Sequence, residues 1–147
     1  MHRLLCYIII FAGPIIFCID STNKPLYAQT QFEMSKKFNK EFAAADAELT
    51  RIYNRILKTY KDDKEFIEKL KVAQRLWIQF RDAHMDSLFP AEDKRLEYGS
   101  SFEMCFSAFL TKLTRERTEQ LKQWIIGVEE GEVCSGSIKA KDTLLKK

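Results

Sequence analysis

The side chains best placed to do chemistry in this 147-residue chain are a few charges and amides set into apolar helical faces. In Leu70-Lys71-Val72-Ala73-Gln74-Arg75-Leu76-Trp77-Ile78-Gln79-Phe80-Arg81-Asp82-Ala83, a turn of about 100° per residue puts Phe66, Leu70, Ala73, Trp77, Phe80 and His84 in one row. Gln74 and Arg81 fall between that row and Ile67 and Ile78. Asp46 falls between Tyr53 and Leu57 on the apolar side of an earlier helix, and Arg117 stands in the middle of a later stripe. An unpaired charge in a protein interior costs several kcal/mol, so these groups should meet. The spacing predicts a polar network of Asp46, Gln74, Arg81 and Arg117 with Thr114 beside it, and Trp77, Phe80 and Trp124 as core aromatics. The chemistry of such a network is ion pairing that fixes helix register; a functional pocket is the second reading.

Catalytic constellations are not found. The chain has no Cys-x-x-Cys, no His-Glu-x-x-His, no Gly-x-Ser-x-Gly and no glycine-rich phosphate loop. His84 stands on an apolar face, and one histidine without converging partners makes no metal site. We therefore expect no catalytic residue, no metal ligand and no cofactor, and a protein that is not an enzyme. Asp82, opposite the apolar row, should be solvated.

The elements that carry these residues read as helices. Gly and Pro number only 5 and 3, which disfavours a turn-rich β fold. Phe38, Phe42, Ala45, Leu49, Ile52, Ile56 and Tyr60 form an amphipathic stripe in a helix from about residue 32 to 60. Asp62 with Glu65 reads as a capping pair opening a second helix, about 63–89, that ends before Pro90. Ser100 with Glu103 repeats the pattern ahead of a third, about 101–126, with the stripe Phe102, Phe106, Phe109, Leu110, Leu113, Leu121 and Trp124, stopping near Gly127. The expected fold is all-α, a small antiparallel bundle of three long helices. Phe89, Glu92 and Asp93, in the loop after the second helix, are the candidate partner-contact residues.

Ahead of the bundle, Met1-His2-Arg3 precedes an apolar run from Leu4 to Cys18, broken only by Gly13-Pro14. The run is short for a bilayer span and reads as a bacterial Sec-type signal peptide, residues 1–28, cleaved after Ala28; an uncleaved N-terminal anchor is the alternative. Bulky Phe17 disfavours lipidation at Cys18. The expected protein is thus periplasmic or secreted, with no membrane span in the mature chain. The whole chain carries 24 basic and 21 acidic residues, and the expected domain, residues 29–134, is near neutral with 18 against 19. Residues 135–147 form a basic, flexible tail. No basic stripe is present, so nucleic acid is not the expected partner.

Ala45-Asp46-Ala47-Glu48-Leu49-Thr50-Arg51-Ile52-Tyr53, the Leu70 to Ala83 block, Gly99-Ser100 and Leu113-Thr114-x-x-Arg117-x-x-x-Leu121 together resemble the LprI-like lysozyme-inhibitor N-terminal domain family over about residues 38–125. The resemblance implies a small, exported, all-helical bacterial domain, with lysozyme inhibition the activity of one branch; it carries over no inhibitory residue. In this family a Cys usually stands where this chain has Met85, paired with one at the position of Cys105, and Asn stands in place of Thr50. Cys105 therefore lacks its usual partner, leaving Cys134 as the candidate for a disulfide. A helix from 105 to 126 advances about 31 Å, while the return to 134 reaches at most about 29 Å, so the bond needs a doubled-back tail. Otherwise Cys105 is a buried thiol and Cys134 is free or pairs between chains. Two functions follow: an exported binding protein whose partner is lysozyme or a related muramidase, which it inhibits, or a non-catalytic envelope interaction or scaffold module. The sequence leaves the oligomeric state open.

Overall fold

The computed structural model describes residues 26–145, with side chains from residue 30 onward. α1 spans Leu26–Thr59, α2 Lys64–Leu88, α3 Lys94–Tyr98, α4 Phe102–Ile126 and α5 Lys141–Leu145. Among the described residues there is no strand, only the isolated parallel bridge between Val128 and Ala140. Residues 1–25 of the expected signal segment, and Lys146 and Lys147, lie outside the described residues; Ala28 falls in the first turn of α1. No described helix is long and apolar enough to cross a membrane.

The caps fall slightly off the expected places. Asp63, not Asp62, caps α2, its carboxylate accepting the Phe66 N–H at 3.1 Å. α4 opens after Ser101 with no side-chain cap, and Glu103 pairs with Arg95 at 2.8 Å. Its C-terminus closes on Gly127 at φ 76°, a conformation that costs glycine least.

Packing directions follow from the contacts. Ser107 donates to Asn39 at 2.5 Å and Tyr60 donates to the Trp124 carbonyl at 3.2 Å, so α1 and α4 run parallel. Arg117 meets Gln74, and the rings of Phe66 and Trp124 stack at 5.8 Å, so α2 runs antiparallel to both. The bundle is up, down, up, and its most extensive contact is α1 against α4. That closeness has a chemical cause: α4 turns Ser107, Thr111, Thr114 and Thr118 toward the interior, all buried, and α1 answers with buried Ala45. Small side chains let helix axes approach. Below this contact, Leu49, Ile52, Ile56, Tyr60, Leu70 and Leu121 form the apolar core, with Trp77 and Trp124 packed on its edge.

A buried hydroxyl needs a partner. Thr111 donates to the Ser107 carbonyl at 2.7 Å and Thr118 to the Thr114 carbonyl at 2.8 Å, each one helical turn back. The fully buried Thr114 hydroxyl has no partner among the described residues.

The segment after α4, expected as a flexible tail, is placed against the base of the bundle over its described part. Tyr60, buried, accepts the Lys139 N–H at 3.1 Å, while the Lys139 ammonium sits 4.2 Å from the centre of its ring. Trp124 donates to Ser137 at 3.0 Å. Gly127 permits this return, since a Cβ there would lie 2.8 Å from the Lys139 carbonyl oxygen.

Thr114→Val keeps the shape and removes the unpartnered hydroxyl, so it should raise stability by about 1 kcal/mol in chemical denaturation; a loss of stability would show that the hydroxyl is satisfied. Burial also holds the Tyr60 phenol above its ordinary value. The stability it contributes is complete below the unfolded tyrosine value near pH ~10 and is lost as pH rises through the higher folded value. Tyr60→Phe should therefore flatten the alkaline fall in melting temperature.

Candidate functional site

Only part of the expected polar network assembles. Arg117 donates through Nε to Gln74 Oε1 at 3.0 Å and through Nη1 to Gln120 Oε1 at 3.1 Å. Its guanidinium lies 6.0 Å from the Trp77 ring, and that of Arg81 lies 5.4 Å from the same ring. Trp77 thus meets two cations, and no carboxylate among the described residues pairs with Arg117. Burial pushes the Arg117 guanidinium below its ordinary value, and amide oxygens and a ring face offset its charge. Thr114 is buried on α4 but donates nothing to the group.

Asp46 takes no part, a correction to the sequence reading. It is exposed and makes no ion pair among the described residues. The buried row of α1 is Ala45, Leu49, Ile52, Ile56 and Tyr60, and one residue's rotation carries Asp46 off it, while the flank with Tyr53 and Leu57 is only half covered because α1 turns to α4 rather than to α2. Arg81 pairs with its neighbour Asp82 at 2.8 Å instead. Trp77 and Trp124 sit at the core edge, but Phe80 is 58% exposed and is no core aromatic. It stacks on half-buried His84 at 5.7 Å.

The connection between α2 and α4 is built differently from a plain loop. Phe89, expected as an exposed contact, is buried. Its ring sits among those of Tyr98, Phe102, Phe106 and Phe109 at centroid distances of 5.2 to 6.0 Å, partly edge to face, an arrangement the ring quadrupoles favour. Above this socket stands α3. Asp93 caps it, accepting the Leu96 N–H at 2.9 Å; the Tyr98 hydroxyl accepts the Ala91 N–H at 3.3 Å; and Gly99 turns the chain at φ 71° into α4. Glu92, Asp93, Glu97 and Leu96 face solvent, Leu96 at 83% exposure. Leu96 is thus an exposed apolar side chain carried on a braced turn. Sequence reading missed both Leu96 and the helix under it; the spacing of Asp93 to Leu96 was the available cue.

Cys105 is half-buried on α4, Cys134 is exposed, and both are free thiols, so the candidate disulfide does not form. α4 carries the chain to the far end of the bundle, and the returning segment is held there by Tyr60 and Trp124. Among the described residues no group of three or more His, Cys, Asp or Glu is arranged to hold a metal ion. Gln74→Leu removes the acceptor of Arg117 Nε and should destabilise by about 2 kcal/mol, whereas Gln120→Leu, on the exposed side, should cost under about 0.5 kcal/mol; equal effects would place the charge in water.

Comparison with known proteins bears on the scaffold that holds these groups. The family model for the lysozyme inhibitor LprI matches residues 21–121. An uncharacterized protein of Rhizobium meliloti (strain 1021) is 32% identical over 114 residues, covering 69% of this chain and 78% of that protein. No solved structure matches the chain. The matched span of residues 21–121 takes in α1, α2, the socket under α3 and α4 as far as Leu121, including Ala45 and the stripe from Ser107 to Thr118: the chain belongs to the lysozyme inhibitor LprI family.

Proposed function

We propose that the protein is an exported, non-catalytic binding protein that inhibits lysozyme or a related muramidase by presenting the α3 turn to the enzyme. Family membership supports the class of activity. The observation that carries the choice of surface is the exposed Leu96, which shares with exposed Glu92, Asp93 and Glu97, and with Lys94 and Arg95, a turn whose underside is packed by five aromatic rings.

The physical case rests on preorganisation. A turn already held in one shape loses little entropy on binding, and a projecting apolar side chain is the kind of anchor that fills a cleft. A muramidase acts through two carboxyl groups flanking the scissile bond, so a wedge that fills the cleft blocks catalysis without reacting. The carboxylates around Leu96 suit an enzyme with a cationic surface, while the near-neutral domain limits long-range steering. Local contacts must therefore supply most of the affinity.

The protein at molar excess should slow lysozyme in a turbidity assay. Leu96→Ser and the pair Glu92→Lys with Glu97→Lys should each weaken inhibition at least tenfold with the melting temperature unchanged. Phe89→Ala should instead lower the melting temperature, since emptying a buried aromatic site costs about 3–5 kcal/mol, and lose inhibition with it. A folded wild-type protein that leaves lysozyme untouched would favour the scaffold function.

A further inference from the structure

We propose that the outer face of α2 is the interface of a two-fold, antiparallel dimer of this chain. Along that face Val72, Leu76 and Phe80 follow one another every four residues, at 44%, 58% and 58% exposure, with Ala83 in line beyond them. Nothing in the bundle covers them, because the interior side of α2 is already used by Leu70, Gln74, Trp77 and Met85. Three large apolar side chains in a row on one helix exceed the scattered exposure ordinary for a monomer.

The charges beside the row select the occupant. Lys64, Glu68, Lys71, Arg75, Asp82 and Asp86 lie along a single flank, net basic in the first half of the helix and acidic in the second. Lys71 also reaches Glu68 at 2.9 Å and Asp82 pairs with Arg81 at 2.8 Å, but Lys64, Arg75 and Asp86 have no ion-pair partner among the described residues. A two-fold axis between antiparallel helices brings each flank against the same flank of the other copy. With that axis at Leu76, Lys71 lies one residue from the level of Asp82 of the partner subunit, and Lys64 two residues from that of Asp86 of the partner subunit, about 1.5 and 3 Å along the axis. Leu76 then meets its own copy, and Val72 meets Phe80 of the partner subunit. A parallel two-fold pair would turn this flank toward the opposite flank of the partner subunit, so its charges would not meet their counterparts. The face is self-complementary in one orientation only, as an isologous interface requires.

Sedimentation velocity on the protein purified from the cells that make it reads the state directly. At roughly 100 µM, a range that detects weak association, the wild type should sediment as a dimer. Leu76→Glu, which sets two carboxylates against each other at the axis, should sediment as a monomer with unchanged helicity; Leu76 is exposed, so the fold does not depend on it. Lys64→Glu alone and Asp86→Lys alone should each weaken the dimer on the order of tenfold at low salt. The double variant should recover it, because the two positions are too far apart in one helix to meet each other. A monomeric wild type, a dimer that survives Leu76→Glu, or a double variant no better than the singles would each overturn the proposal.

Discussion

The contact between α1 and α4 sets the rest of the molecule. Two helices come close only where neither brings bulk, and here Ala45 faces the stripe Ser107, Thr111, Thr114 and Thr118. Three of the four hydroxyls are compatible with burial because two turn back onto their own helix and one reaches Asn39; Thr114 alone is buried without a partner among the described residues. Once α1 and α4 are joined, α2 has no groove left to fill. It leans on the pair through long side chains, Leu70, Gln74, Trp77 and Met85, and leaves its far side bare.

That order of packing explains what sequence reading reached and what it did not. Three long helices were legible from their 3.6-residue period, and from Ala45 to Tyr60 the expected stripe is the buried face; on α4 only Leu121 of the expected stripe is buried, and on α2 Phe80 of the expected row is exposed. The meeting of Gln74 with Arg117 was legible too, because a cation within an apolar stripe must find an acceptor. Periodicity does not say which neighbour a face will meet. Asp46 would be buried if α1 closed on α2, as chain order suggests; α1 closes on α4 instead, and Asp46 is left in water. The threonine stripe was invisible as a core for a related reason. Threonine does not stand out as apolar in a hydropathy pattern, yet one whose hydroxyl bonds the preceding turn, as in Thr111 and Thr118, presents mainly a methyl group.

Phe89 and Phe80 exchanged roles for the same physical reason. Phe89 follows the last turn of α2, where a sequence reader expects loop and exposure, but α4 begins with a run of aromatic residues that can only be covered by the segment just before it. Phe80 lies in a regular apolar row that looks like core, and the core is elsewhere. In both cases local pattern named the right residue type and tertiary arrangement decided its side.

The two surfaces assigned here differ in kind and do not compete. The α3 turn lies past the end of α2, while the apolar row is centred on Leu76, sixteen residues before Glu92. In an antiparallel pair centred at Leu76, the two α3 turns point to opposite ends, on the order of 50 Å apart at helical rise. Each stays open, and a dimer built this way offers two independent wedges rather than one composite site. On the proposed function, two such turns on one particle would raise the local supply of binding groups wherever several copies of a partner stand close together. The bare side of α2 and the rigid tip beyond it then follow from one cause: α1 and α4 satisfy each other, and α2 is free to serve surfaces rather than core.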